Sequence, residues 1–393
     1  MLKNRAIILL ILLPGLALGY SLYSLGRPGE PVPPADARGM ALGNNALGLW
    51  DPYSLSLINP ASIAGREYST ITLTTRWENN FYRVATGDSV YEVVDLPNIQ
   101  FTFDLPAGLA VGAGWQERQS WRYLYSKPLH DGDEEVGTAW VEGRGAVSAA
   151  NLALAWAPDE NLGLGIRVSG LIGSPTEVWR TEFDDEDNDE YTDTEDRLVT
   201  DVVGLTLAAG VNARLGQFNL GAYLEYPVLG DVTKITESNF GEVSRESATF
   251  DFPINFGLGV GWTPSRNLLL VGDFRYEMWS GFTIDGVERG YDDTLHAGLG
   301  VEVIPSRRFT DFFLWRMPWR VGGYYETLYD SPRGTGFSEL GVTVGTGVFF
   351  GEEDESTIDL AFQYARRGNL DENGLEEEIF RLSVSFNGSD NWW

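Results

Sequence analysis

The 393-residue chain contains no cysteine and only two histidines, and beyond its N-terminus it has no apolar run long enough for a membrane helix. Without cysteine there is no disulfide staple, thiolate zinc site, cysteine nucleophile or lipidated N-terminal cysteine. Positive charge is scarce too: 28 Lys and Arg stand against 57 Asp and Glu, a formal charge of −29. With no basic stripe to neutralise phosphates, nucleic acid is excluded as a partner. Aromatic residues, by contrast, are plentiful. The 13 Trp, 17 Tyr and 20 Phe, within a 43% hydrophobic composition, bring more apolar surface than a disordered chain carries.

Residues 1–19 have the layout of a cleaved secretory signal peptide. Lys3 and Arg5 precede the apolar run Ala6 to Leu13, and Ala17-Leu18-Gly19 puts small residues at the cleavage-defining positions. A retained anchor is the competing reading, but the run is shorter than the roughly 20 residues a spanning helix needs, and Pro14 interrupts it.

From Tyr68 onward apolar residues recur with period two, the signature of half-buried strands. Ile99, Phe101, Phe103 and Leu105 share one face, with Asn98, Gln100, Thr102 and Asp104 on the other; Phe380, Leu382, Val384 and Phe386 repeat the pattern near the end of the chain. Such runs predict fourteen strands, at about 68–77, 98–105, 109–118, 149–157, 162–171, 199–213, 219–226, 253–263, 267–277, 294–303, 319–329, 340–350, 356–364 and 379–386. The gaps alternate long and short, except that 304–318 should be short and is not; its aromatics Phe309, Phe312, Phe313 and Trp315, with Trp319, suit a membrane interface. An even strand number and alternating gaps predict an all-β protein, an antiparallel up-and-down transmembrane barrel. Soluble β-sandwiches also alternate. Large, nearly uncharged faces, aromatics toward strand ends (Trp77, Trp115, Trp156, Tyr226, Trp262, Tyr364) and the export signal favour the barrel. The predicted organisation is signal 1–19, an N-terminal hatch 20–66 inside the lumen, barrel 67–386 and a short tail 387–393, in the outer membrane of a diderm bacterium with the long loops outside.

Twelve glycines fall on inward faces: Gly112, Gly114, Gly163, Gly165, Gly257, Gly259, Gly261, Gly298, Gly300, Gly341, Gly345 and Gly347. They either let backbone pack against the inner wall or allow the sheet to coil. The packing candidate is 20–66, which lacks period two and is rich in Pro, Gly, Ala and Asn.

Pro34-Ala35-Asp36-Ala37-Arg38-Gly39-Met40, then Ala46, Asp51-Pro52 and Asn59-Pro60-Ala61-Ser62-Ile63-Ala64, resemble the N-terminal signature of the FadL-type outer-membrane proteins, transporters of long-chain fatty acids and hydrocarbons. Phe252-Pro253 with Gly257, Gly259, Trp262, Pro264, Asp273, Tyr276 and Trp279, and Arg320 to Tyr325 with Ser331-Pro332, resemble later blocks of the family. The resemblance implies fourteen strands, a lumenal hatch, and passage of apolar ligands toward a lateral opening. Asn44-Asn45 stand where the family commonly has Gly-Ala. The opening motif also resembles the PorV-like branch, which serves protein secretion, so a secretion role and a purely structural barrel are the alternatives.

Within this frame the gating candidates are Asn59, Pro60, Ala61, Arg38 and Asp51. Pro60 fixes its own φ and biases Asn59 to an extended geometry, so the triplet forms either a gate or merely a turn into the first strand. Phe81, Tyr82, Tyr91, Trp121, Tyr123, Tyr125 and Trp140, in the long gaps, form either an apolar capture surface or a cap. Phe380 and Phe386 resemble the terminal-strand signal read by the barrel assembly machinery. Asp185, Asp187 and Asp189 have alternate-residue spacing suited to Ca²⁺ but no EF-hand loop, and a solvated acidic loop is the preferred reading, so no metal is assigned. His296, inward on its strand, has no Ser or Thr placed beside it by local spacing, and catalysis is not expected. The expected partners are outer-membrane lipids, an apolar small molecule and the assembly machinery, with no cofactor.

Overall fold

The computed structural model describes residues 22–84, 87–132, 134–184, 192–239, 241–306, 310–351 and 354–390. The signal peptide 1–19, Phe309, the Asp185, Asp187 and Asp189 cluster and the side chain of Tyr91 lie outside the described part.

Fourteen antiparallel strands close a barrel. They are β1 Ser69–Val84, β2 Gly87–Leu105, β3 Leu109–Ser120, β4 Ala146–Asp159, β5 Leu162–Gly173, β6 Thr194–Leu215, β7 Phe218–Ser238, β8 Asn255–Ser265, β9 Leu268–Glu277, β10 Thr294–Val303, β11 Trp319–Leu328, β12 Phe337–Phe350, β13 Ser356–Asn369 and β14 Leu375–Asp390. Each pairs with the next, and β14 returns to β1 along Ser69↔Asp390 to Val84↔Leu375.

The wall inverts the burial of a soluble protein, and this decides against a soluble sandwich. Leu299 is 73% exposed, Leu152 65% and Leu340 64%, all facing outward, whereas Arg167, Arg320, Asp359 and Glu377 are buried inside. Only a hydrocarbon surround makes that arrangement favourable. Trp156 and Trp262 also face outward, near the end that carries the short connections 106–108, 160–161, 216–217 and 266–267.

The predicted long loops are corrected. Most of 78–97 belongs to the β1–β2 hairpin, and 119–148, 172–198 and 227–252 carry strands Tyr123–Asp131, Glu134–Arg144, Thr176–Phe183 and Gly241–Asp251, which pair with one another and with the upper parts of β6 and β7. These extensions carry no continuous oily face, so apolar residues do not alternate along them: Tyr123, Val141 and Phe250 are buried toward the lumen, and farther out cross-strand pairs such as Arg180–Glu195 at 2.7 Å join the strands. The tail is corrected as well. β14 runs past Phe386 to Asp390, because Asn387 is a wall residue, accepting from the Thr72 hydroxyl at 2.5 Å and donating to Thr357 at 3.2 Å.

Residues 22–66 fill the lumen before the chain enters β1. The inward glycines are there for close packing. A methyl group at Gly300 would overlap the Leu42 carbonyl, and one at Gly165 would overlap the Pro60–Ala61 peptide. Gly112, Gly163, Gly257, Gly259, Gly261, Gly298 and Gly345 meet the segment in the same way, while Gly114, Gly341 and Gly347 face wall residues instead.

Candidate functional site: a plugged lumen with an apolar upper cavity

The plug is built from short local structures, since proline and glycine rule out a long helix. Asp36 caps the helix Ala37–Ala41, accepting from the Gly39 amide at 2.8 Å and the Ser54 hydroxyl at 2.9 Å. Burial pushes its carboxyl above the ordinary range, against the opposing pull of the Gly39 amide. Asn59 caps the 3-10 turn Pro60–Ile63: its Oδ1 accepts from Ala61, and its amide donates to Asn212 Oδ1 at 2.9 Å and the Val211 carbonyl at 3.3 Å. One side chain thus shapes the turn and ties it to β6.

Electrostatics hold the plug at several heights. Near the short-turn end, Arg38 meets Asp51 at 2.7 Å and Glu302 at 2.9 Å, and Arg320 joins Glu302 at 2.6 Å to Asp359 at 2.5 Å. In mid-lumen, Asp273 of β9 accepts from three successive plug amides, Ala46 at 2.5 Å, Leu47 at 2.6 Å and Gly48 at 3.0 Å. Higher up, Glu30 pairs with Arg367 at 2.5 Å and Arg381 at 3.3 Å, and those arginines also hold Glu339, Glu377 and Glu78. Charges buried in the lumen are tolerable because the groups named here are met by an opposite charge or by hydrogen-bond donors.

Above the plug lies a cavity of about 130 Å³. Trp121, Val202, Val232, Phe250 and Phe282 are among its walls, Gly26, Arg27 and Pro28 line its plug side, and Glu177, Lys234 and Tyr291 reach it. The Trp121 indole donates to the Arg27 carbonyl at 2.9 Å. Arg27 in turn pairs with Asp330 at 2.5 Å. Tyr123 donates to Glu177 at 2.5 Å; burial and then that carboxylate push its phenol well up, so it remains a donor. Beside the cavity, Tyr23 stacks on Phe337 at 5.4 Å and Trp279 stacks on Tyr329 at 4.3 Å. At the short-turn end a second cavity, of about 390 Å³, opens among Arg38, Asp51, Tyr53, Arg214, Leu269 and Ile304.

The wall has a seam between β2 and β3. Their ladder stops at Asn98↔Gln116. Beyond a bulge at Glu117/Gln119, the end of β3 stays paired with β4 on one side and pairs on the other with plug residues Glu30 and Pro31, while β2 above the ladder pairs with β1 alone among the described pairings. The gap is bridged by side chains: Arg122, just past β3, reaches Asp95 of β2 at 3.4 Å, and the Tyr82 hydroxyl of β1 donates to the Leu124 carbonyl at 3.1 Å.

The structure brings Arg38 to Asp51 and seats Asn59, Pro60 and Ala61 against the wall, but it does not gather the six aromatics with described side chains into one exposed surface. Tyr82, Trp121 and Tyr123 are buried in the cluster at the top of the lumen, Tyr125 packs against it, and of these six Trp121 lines the upper cavity. Phe81 faces outward beside Phe380, their rings 5.8 Å apart, and Trp140 is half-buried in the sheet beyond the wall. The inward bend of β3 decides this division, and nothing local in the sequence encodes it. Phe386 faces outward and stacks on Phe350 at 5.8 Å. His296 is buried 3.3 Å from Glu326, against the Tyr324 ring. Sequence reasoning missed Glu30 and Phe250; for Asp273, the available signal was a lone acid facing inward beside the glycine faces of β8 and β10.

Fold, inverted burial and plugged lumen define a transmembrane β-barrel of the FadL type in architecture. Among solved structures it is similar to a FadL homologue from Pseudomonas aeruginosa, at 14% identity over 91% of this chain and 99% of that one, with a TM-score of 0.68. The toluene transporters TbuX of Ralstonia pickettii (13% identity, 90% and 97% covered, TM-score 0.59) and TodX of Pseudomonas putida (14%, 92% and 99%, TM-score 0.59) share the fold. A family model described as BamG matches residues 225–393. No curated protein sequence matches the chain.

Proposed function

We propose that the protein is an outer-membrane channel that passes hydrophobic solutes, hydrocarbons or the apolar part of fatty acids, with its long-loop end outside. The observation that carries this reading is the apolar cavity above the plug, in a lumen otherwise crossed by ion pairs. Its volume is close to the roughly 150 Å³ of a dry protein cavity that takes up benzene, so it suits one ring or a short stretch of acyl chain. In this reading a solute leaves water at Trp121 and Phe250, and the plug denies it a straight aqueous path. The β2–β3 seam, bridged by side chains rather than ladder hydrogen bonds, serves as the lateral way out. Asn59, Pro60, Ala61, Arg38 and Asp51 hold the plug closed below. The fold shared with proteins described as toluene transporters supports the same reading.

The test is uptake of labelled toluene and of a labelled long-chain fatty acid by cells whose only such channel is this protein, wild type against Phe250→Arg. A charge in the cavity should reduce uptake at least several-fold while heat-modifiable barrel remains at wild-type level; unchanged uptake of both probes rejects the reading. The BamG match over the C-terminal strands favours a second reading, work beside the barrel assembly machinery. Co-purification of assembly components, together with loss of other barrels from the membrane on depletion, would favour it.

A further inference from the structure

In the upper lumen two arginines hold four glutamates. Glu30 of the plug, Glu78 of β1, Glu339 of β12 and Glu377 of β14 are all buried, and the cations set among them are Arg367 and Arg381. The neighbouring Arg76 and Arg122 are matched by Asp95 and Glu117. Among the described residues the cluster therefore carries two negative charges more than it balances, a costly surplus for a buried site. Geometry locates part of it. The Nε–Nη2 edge of Arg38 takes both oxygens of one carboxylate, that of Glu302. The same edge of Arg381 takes one oxygen from each of two carboxylates, Glu78 Oε2 at 2.6 Å and Glu30 Oε1 at 3.3 Å. The two carboxylates thus lie side by side, and the second oxygen of each, Glu78 Oε1 and Glu30 Oε2, is buried without a hydrogen-bond partner. Next to Glu78 on the inner face of β1 stands Asn80, fully buried, with both its amide oxygen and its amide nitrogen unbonded.

We propose that Glu30, Glu78 and Asn80 bind a divalent cation of the Ca²⁺ class, which bridges the plug to the wall. A divalent ion balances the surplus charge, and unpartnered carboxylate and amide oxygens are the ligands that a hard cation takes. Among the described residues no group of three or more acidic or histidine side chains is placed to hold a metal, so two carboxylates and the Asn80 oxygen are the protein's share of the coordination shell and water supplies the rest. The position gives the ion a task. Glu30 pairs with Ser120 at the end of β3, beside the seam, and follows the stretch Gly26 to Pro28 that lines the upper cavity. An ion shared by Glu30 and Glu78 ties that stretch to β1 and keeps the upper plug in place.

The test is equilibrium dialysis of the full chain in detergent against labelled Ca²⁺, after treatment with a chelator. It is read without any transported solute, so its failure and that of the transport reading are distinct. Glu78→Gln should bind one ion fewer per chain than wild type, and Asn80→Ala should bind that ion several-fold more weakly. Glu237→Gln, at the outer end of β7 where Glu237 faces Arg197, should match wild type. In proteoliposomes, chelation should make the wild-type protein admit a water-soluble dye that it excludes when Ca²⁺ is present. Equal Ca²⁺ binding by wild type, Glu78→Gln and Asn80→Ala overturns the site and leaves the surplus charge to protons. Dye exclusion that chelation does not change overturns the bridging role. Should Glu78→Gln fail to assemble, Asn80→Ala, which keeps every charge in the cluster, decides the question by itself.

Discussion

The backbone amide of Leu47 donates to the Asp273 carboxylate at 2.6 Å, and that contact, flanked by Ala46 and Gly48, joins the middle of the plug to β9. Hydrogen bonds to an ionised group contribute about 1.5–3 kcal/mol each. Asp273→Ala leaves three buried amides without their acceptor, and losing even about 3 kcal/mol raises an open fraction about 100-fold. The variant should assemble as a heat-modifiable barrel yet admit a water-soluble dye that wild type excludes. Dye exclusion equal to wild type would show that the contact does not hold the plug.

Asn59→Ala with Pro60→Ala removes a cap that both shapes the 3-10 turn and reaches Asn212 on β6. Loss of such a cap costs about 0.5–2 kcal/mol, too little to unfold the wall, whose ladders do not involve these residues. Barrel yield should be unchanged and uptake of an apolar probe altered. If yield collapses, the triplet guides folding rather than passage.

Gly300→Leu sets a side chain where the Leu42 backbone sits, whereas Gly170 has nothing within 4 Å of an added Cβ. The first substitution should displace residues 42–48 and raise single-channel conductance in planar bilayers, and Gly170→Ala should match wild type. Equal conductance for both variants would mean that the plug adapts without leaving the wall.

Truncation after Phe386 should fail where truncation after Asp390 succeeds. The shorter chain loses the pairs from Ser69↔Asp390 to Thr72↔Asn387 at the closure of the barrel. Phe386→Asp should impair assembly as well, by placing a charge on the lipid-facing side. Heat-modifiable barrel per cell is the readout, and equal levels for the two truncations would contradict the importance of this closure.

The sequence by itself determined the wall. Wherever one face meets hydrocarbon and the other the lumen, hydrophobicity alternates residue by residue, so Ile99 to Leu105 or Phe380 to Phe386 could be read as strands and counted. It left two readings of the inner glycines, backbone packed against the wall or coiling of the sheet, and the structure decided for packing at nine of the twelve. Only the tertiary structure decided what meets what. The strands beyond the wall, such as Thr176–Phe183, where Glu177 alone is buried, have no continuous oily face and leave no alternation to read. The burial of Trp121, Tyr123 and Tyr82 follows from the inward turn of β3 at Glu117/Gln119, where the plug takes the place of β2 in the ladder. Pairings such as Glu30 with Arg367 and Leu47 with Asp273 span more than 200 residues of sequence. No local pattern specifies such partners, since closing the barrel is what brings their ends together.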